Sequence, residues 1–275
     1  MSIASHYRAI RWPMRCLVLL LAAAPALAKG PARRVAEPLP PLKVGPTFDW
    51  SAQDSLLARY TVGGLVDYAA WKKDGNAELD RVLGAAAAWA HYDSAESIEK
   101  TVFLVNAYNG FVVRDILEKY PVTSVKEIPG FFDARKHSIA GGEYTLDQIE
   151  KTLIKGVGHR DPYIHFALVC GARGCPALRP RAYRAESWTN DTANQTQNFL
   201  ADPTKGLFDE ENYVLRVSEI FRWYQSDIEV GDLTLPRWIG PHLTLGVAMK
   251  MAAAEPPVEF LPFDWALNDV KAESR

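Results

Sequence analysis

The sequence predicts a single compact α+β domain in which several helices pack on a small sheet. Segments with helical spacing of apolar residues are mixed with short strand-like runs, a combination typical of this fold class. Apolar residues make up 48% and charged residues 23% of the 275 residues, which is ordinary for a globular protein with a sizeable core. No low-complexity break interrupts the chain after residue 46. We therefore expect one domain at residues 47–235 and a C-terminal extension, residues 236–275, that packs on it.

The spacing of apolar residues and the positions of turn residues predict where the helices and strands lie. The clearest helix is residues 97–120, where apolar residues recur at helical spacing until Pro121 ends the helix. The other expected elements are helices at residues 54–60, 78–91, 145–154, 188–200 and 219–227, a hairpin at 131–144, strands at 164–170 and 213–217, and a strand or loop at 67–71.

The N-terminus has the pattern of a secretory signal peptide. Three arginines and no acidic residue precede an apolar run at residues 16–27, and Ala26-Leu27-Ala28 has the form of a cleavage site. The alternative is a membrane anchor, but a run of about twelve apolar residues is shorter than the roughly twenty that a spanning helix needs. We therefore expect a periplasmic or secreted protein, cleaved after Ala28, in which five prolines make residues 29–46 an extended linker.

The charge balance excludes several classes of partner. The net charge is −2, and cleavage at Ala28 removes three positive charges and no negative ones, which takes it to −5. A mildly acidic protein has no overall attraction for nucleic acid or for anionic membranes. No other apolar stretch reaches spanning length. The expected partner is a small-molecule or peptide ligand.

Residues 164–176 are the first candidate for chemistry, because a buried apolar run opens into a Gly-rich loop with two thiols, Cys170 and Cys175. Pro176 fits the first position of a helix, which would make Cys175 its N-cap. Backbone N–H groups there, with Arg173 nearby, would lower the pKa of the Cys175 thiol and favour the nucleophilic thiolate. His165 is near in sequence, although strand alternation places it on the face opposite Cys170.

Other interpretations of these residues remain open. Cys170 fits a small buried apolar residue and His165 a core histidine. An oxidising compartment also permits a disulfide between Cys170 and Cys175. A zinc site needs four ligands, and no spacing in the sequence supplies them.

The predicted long helix carries a second group of candidates. Asn106, Tyr108 and Asn109 interrupt its apolar face. Buried asparagines need hydrogen-bond partners, so Asn106 and Asn109 either bind a ligand or fix another segment of the chain. Glu150, on the following helix, is either a general base or a surface charge.

Several motifs together resemble one family. They are residues 103–109, 120–122, 124–126, 131–133, 144–150, 161–167 and 218–224, and the run Cys170…Cys175-Pro176-Ala177-Leu178. In this order they resemble the domain of unknown function 547 family, from about residue 50 to residue 230. The resemblance implies a single domain, often exported in bacteria, whose activity is unassigned. Members of the family often have a histidine directly after the glutamate that matches Glu150, but this chain has Lys151 there. A Glu-His pair for acid–base chemistry would therefore be incomplete, and His137 is a candidate for the missing histidine.

Three functions fit these residues. The first is a thiol-dependent hydrolase or transferase with Cys175 as nucleophile, His165 as base, Glu150 or Asn106 as orienting group and Arg173 stabilising an oxyanion. It requires a free Cys175. The second is a non-catalytic binding module for a small polar or peptide-like ligand, with structural cysteines. The third is a thiol–disulfide redox protein, although the spacing is not Cys-x-x-Cys. No phosphate loop or dinucleotide fingerprint indicates a cofactor.

Overall fold

The computed structural model describes residues 39–42, 45–157 and 161–271. The predicted signal peptide and residues 29–38 of the predicted linker lie outside the described residues. In the described part of that linker, Leu39 and Leu42 pack against the core.

Helices dominate the described residues, and the mixed α+β class is confirmed. The helices are α1 (Ser51–Tyr60), α2 (Tyr68–Asp74), α3 (Asn76–Ala87), α4 (Ser97–Lys119), α5 (Leu146–Gln148), α6 (Lys155–Val157), α7 (Ile164–Ala167), α8 (Trp188–Leu200), α9 (Ile220–Trp223), α10 (Gln225–Ile228), α11 (Leu235–Ile239) and α12 (Leu245–Ala253). A π-helical segment, Ile149–Ile154, joins α5 to α6, and 3₁₀ turns occur at Val125–Glu127, Ala185–Ser187 and Gly240–His242. None of the described helices is long and apolar enough to cross a membrane.

The strands form three small sheets. They are β1 (Thr61–Val62), β2 (Leu65–Val66), β3 (Lys136–Ile139), β4 (Gly142–Thr145), β5 (Gly206–Asp209), β6 (Val214–Ser218) and β7 (Val258–Leu261). The pairs β1-β2 and β3-β4 are antiparallel hairpins, and β6 lies between an antiparallel β5 and a parallel β7. The third sheet therefore joins the C-terminal segment to the rest of the chain.

Helix α4 is the centre of the larger of two hydrophobic cores. Nearly every residue from Thr101 to Leu117 is buried, as expected for a helix that is apolar on all sides and surrounded by other elements. The smaller core gathers aromatic residues of the second half of the chain, including Phe199, Phe221 and Trp238. Segment α7 contributes to both cores, because Phe166 belongs to the smaller one and Ala167 to the larger one.

Two local predictions are wrong, and both segments are helical. Residues 164–170 were expected as a strand, but α7 occupies the first four, since the Asp161 side chain and backbone begin a helical turn by accepting from the N–H groups of Tyr163 and Ile164. A short apolar run does not by itself distinguish a strand from a buried helix. Residues 67–71 lie in α2 and its cap, because the Asp67 side chain accepts from the Ala70 N–H at 2.9 Å.

Candidate functional site

A pocket of about 470 Å³ brings most of the predicted site residues together. The predicted residues that line it are Tyr108, Glu150, His165, Cys170 and Cys175. The other lining residues are Phe132, Asp147, Lys151, Leu168, Val169, Pro176, Ile220, Trp223, Tyr224 and Trp265. Residues separated by up to 157 positions in the sequence thus share one cavity, with both polar and aromatic walls.

Glu150 is a buried carboxyl in the pocket wall. A capping box at Thr145 and Gln148 starts α5, and the π-helical segment that follows carries Glu150. Its Oε1 accepts a hydrogen bond from the Tyr224 hydroxyl at 2.7 Å, whereas Oε2 has no partner among the described residues. Burial raises the pKa of Glu150, and the hydrogen bond from Tyr224 opposes the shift only in part.

His165 contacts Asp227, which also forms an ion pair with Lys155. Its Nε2 lies 2.9 Å from Oδ2 of Asp227, and Lys155 Nζ lies 2.7 Å from the same oxygen. Burial lowers the pKa of His165 to about 4, against the opposing effect of Asp227. Burial acts to raise the pKa of Asp227, but hydrogen bonds from Lys155 and His165 outweigh it and lower that pKa.

The protonation of the pair follows from these shifts. The imidazole of His165 is neutral at pH 7 and the Asp227 carboxylate is ionised, so the Nε2–H of His165 donates to Asp227. The other nitrogen, Nδ1, then carries the lone pair. It is buried and has no hydrogen-bond partner in the described part of the chain.

Tyr224 connects the two titratable groups, and sequence reasoning missed its role. Its ring stacks on the His165 imidazole with centroids 3.6 Å apart and an interplanar angle of 15°, while its hydroxyl donates to Glu150. Asp227 was also missed. Both residues lie in the predicted helix 219–227, which the structure divides into α9 and α10. The polar groups of this short, aromatic-rich helix were the sequence feature that could have marked it as part of the site.

The two cysteines form a disulfide, which corrects the prediction of a free Cys175 thiolate. The predicted helix start at Pro176 is also wrong, because residues 176–184 form no helix. Cys175 is therefore not a helix N-cap, and its sulfur is bonded to that of Cys170. The Cys175 N–H instead closes a turn by donating to the carbonyl of Ala172 at 3.2 Å.

Asn106 and Asn109 lie outside the pocket lining and fix other segments of the chain. The side-chain amide of Asn106 exchanges two hydrogen bonds, of 3.0 and 2.8 Å, with the backbone of Tyr183. Asn109 donates to the Ala167 carbonyl at 2.9 Å and accepts from the Val169 N–H at 3.0 Å. Of the two roles open from the sequence, these contacts match the structural one.

The sequence also points to Arg173, Lys151 and His137, and only Lys151 is among the residues that line the pocket. Arg173 borders a different cavity and does not line the pocket. Lys151 lines the pocket and pairs with Asp147 at 2.7 Å. His137 is buried beside Asp115, with its Nε2 3.2 Å from a carboxylate oxygen, and is not among the pocket residues; it does not complete an acid–base pair with Glu150.

Aromatic side chains form the apolar part of the pocket wall. The Trp265 ring lies 6.0 Å from the ring of Trp223, and Phe263 lies between them at 4.6 and 4.9 Å. Trp223 is 45% exposed, and the Lys126 ammonium lies 4.2 Å from the centroid of the Trp265 ring. The rings of Trp223 and Trp265 therefore line the same pocket as Glu150 and His165, whereas Phe263 is not among its lining residues.

Comparison with known proteins identifies a domain within the chain. Residues 92–200 match the model of a family described as protein of unknown function, DUF547. These residues are a DUF547 domain. Neither the curated proteins nor the solved structures contain a match. The resemblance drawn from the sequence motifs is thus confirmed for the family, with a matched range narrower than residues 50–230.

The pocket extends beyond the matched DUF547 range. Glu150, His165 and both cysteines lie within residues 92–200, whereas Tyr224, Asp227 and Trp265 follow it. The hydrogen-bond partners of Glu150 and His165 are therefore supplied by the C-terminal part of the chain. The family match assigns no activity to these residues.

Proposed function

We propose that the pocket binds a small ligand with a hydrogen-bonding end and a flat apolar part, and that the cysteines are structural. The observation that carries this proposal is that the polar side chains of Tyr108, Glu150 and His165 line one pocket, and that the buried Nδ1 of His165 has no hydrogen-bond partner among the described residues. Unpaired buried polar groups are costly, and convergent polar groups in an apolar pocket are typical of ligand sites.

The polar and the aromatic residues of the pocket lining suit different parts of a ligand. Tyr108, whose pKa burial raises well above its usual value, keeps its proton and donates a hydrogen bond. Glu150 accepts one, or donates one when protonated. The rings of Trp223 and Trp265 offer faces for a flat apolar group. A small polar or peptide-like molecule meets both requirements.

Export is part of the proposal. A disulfide persists in an oxidising compartment and is rare in the cytosol, so the Cys170–Cys175 bond supports the periplasmic or secreted location that the N-terminal sequence predicts. In this state neither cysteine offers a thiol, which favours binding over thiol catalysis.

Replacing Glu150 with glutamine is expected to weaken ligand binding at least about tenfold, because a hydrogen bond to a charged or ionisable group contributes roughly 1.5–3 kcal/mol. Free amino acids, dipeptides and monosaccharides would be screened by thermal shift, and hits measured by isothermal titration calorimetry. Glu211→Gln, at an exposed turn position, is the matched control and should bind as the wild type does. Equal affinity of Glu150→Gln and wild type for every hit would contradict the proposal.

A thiol-dependent hydrolase or transferase is the second candidate, because both cysteines line the same pocket as His165 and Glu150. It requires the reduced protein. We expect no alkylation by a short iodoacetamide pulse without reductant, and an intact mass two hydrogens below that of the dithiol. After reduction, fast labelling of Cys175 with an apparent pKa well below the roughly 8.5 of a free thiol would favour this candidate. Slow labelling, with ligand binding retained in Cys175→Ser, would favour the binding module.

A further inference from the structure

The loop that carries the disulfide also borders a second cavity, of about 420 Å³. Cys175 and Pro176 line both cavities. The charged residues around the second cavity are Arg173, Lys205, Asp202 and Asp264. Its lining differs from that of the first pocket in having an arginine and no histidine or glutamate.

Arg173 has no counter-ion among the described residues. Its Nε and Nη2 are buried and make no hydrogen bond there. Two other arginines, Arg135 and Arg179, also have a buried nitrogen without a hydrogen bond, but each lies against a carboxylate, at 3.1 and 2.6 Å. Arg173 therefore differs from these two in lacking an acidic partner within the described part of the chain.

Both carboxylate oxygens of Asp202 and one of Asp264 have partners other than Arg173. Asp202 Oδ1 accepts hydrogen bonds from the N–H and hydroxyl of Thr204, and its Oδ2 lies 3.3 Å from Lys205 Nζ. Asp264 Oδ1 accepts from the Ala266 N–H at 2.9 Å. Lys205 also donates to the Cys175 carbonyl at 3.2 Å. Of the two cations that line the cavity, Arg173 is thus the one without a side-chain partner in the described part of the chain.

Backbone hydrogen bonds hold the Arg173 main chain in place. Its N–H donates to the Ala266 carbonyl at 2.8 Å, and the next residue, Gly174, donates to the Asp264 carbonyl at 2.8 Å. A β-bridge joins Ala172 to Leu267 on the other side. An added Cβ at Gly174 would lie 2.9 Å from the Asp264 nitrogen, so the loop and the C-terminal segment are closely packed. A fixed backbone reduces the entropy lost when the side chain binds a ligand.

We propose that this cavity binds a small oxyanion, a carboxylate or a phosphate, through the guanidinium of Arg173. Arg173 lines the cavity, and a guanidinium carries two parallel N–H donors on its Nε–Nη2 edge, which match two oxygens of such an anion. Buried guanidinium nitrogens without a hydrogen bond or a counter-ion are unfavourable, and the bound anion supplies both. This site is independent of the proposed function, because its polar groups belong to a different cavity.

The proposal is tested on the full mature protein by isothermal titration calorimetry with sodium phosphate and, separately, sodium acetate, each against sodium chloride at the same ionic strength. We expect saturable binding of at least one oxyanion, and the arm that binds identifies its class. Arg173→Gln should weaken that binding at least about tenfold. Arg181→Gln removes an exposed arginine and should leave it unchanged.

A second variant separates recognition from folding. Arg173→Lys keeps the charge but loses the two-donor edge, so we expect weaker binding than in the wild type even if Arg173→Gln fails to fold, as judged by circular dichroism. The proposal is overturned if neither oxyanion binds above chloride, or if folded Arg173→Gln and Arg173→Lys both bind with wild-type affinity. Either result leaves the ligand screen on the first pocket unaffected.

Discussion

Replacing Asn109 with alanine is expected to lower the free energy of unfolding by about 3 kcal/mol, because it leaves two buried backbone groups unpaired at a cost of roughly 1–3 kcal/mol each. Those groups are the Ala167 carbonyl and the Val169 N–H. They flank Leu168, which lines the first pocket together with Val169 and Cys170. The same substitution should therefore loosen the pocket wall and weaken ligand binding.

Urea unfolding followed by tryptophan fluorescence measures the effect. Asn190→Ala is the matched control, because Asn190 is exposed on α8, and surface substitutions of this kind change stability by no more than about 0.5 kcal/mol. If the two variants unfold at the same urea concentration, the bidentate contact of Asn109 does not stabilise the fold.

The stability of the protein is expected to fall between pH 7 and pH 4 by about 3 kcal/mol through His165 alone. The unfolded imidazole takes up its proton near its ordinary pKa of 6.5, whereas burial lowers the pKa in the folded protein to about 4. Between these values the unfolded state binds more protons, so the free energy of unfolding decreases as the pH decreases. Above pH 6.5 this contribution is constant.

His165→Gln isolates the contribution. Its free energy of unfolding should depend less on pH than that of the wild type over this interval, since the variant lacks the buried imidazole, while the other titrating groups, including Glu150, remain. Urea midpoints measured from pH 4 to pH 7 on both proteins give the difference. Parallel pH profiles would mean that His165 titrates in the folded protein as it does in the unfolded chain.

Much of the candidate site could be predicted from local sequence. Residue type and surroundings in the chain predict Glu150, His165 and the two cysteines as site residues, and the structure places all four in one pocket. The role of Asn109 remained open, because a buried amide satisfies its hydrogen bonds equally well with a ligand or with backbone. Only the contacts to Ala167 and Val169 distinguish these alternatives.

By itself the sequence determined the α+β class, the long central helix and the DUF547 domain, because these depend on apolar periodicity and on motifs that occupy short stretches of chain. The tertiary structure decided which residues meet: Asp227 with His165, Tyr224 with Glu150, and Arg173 with a cavity in which no described carboxylate pairs with it. These neighbours come from segments far apart in the chain. Their contacts depend on how the two hydrophobic cores pack around α7, and local periodicity carries no information about that packing.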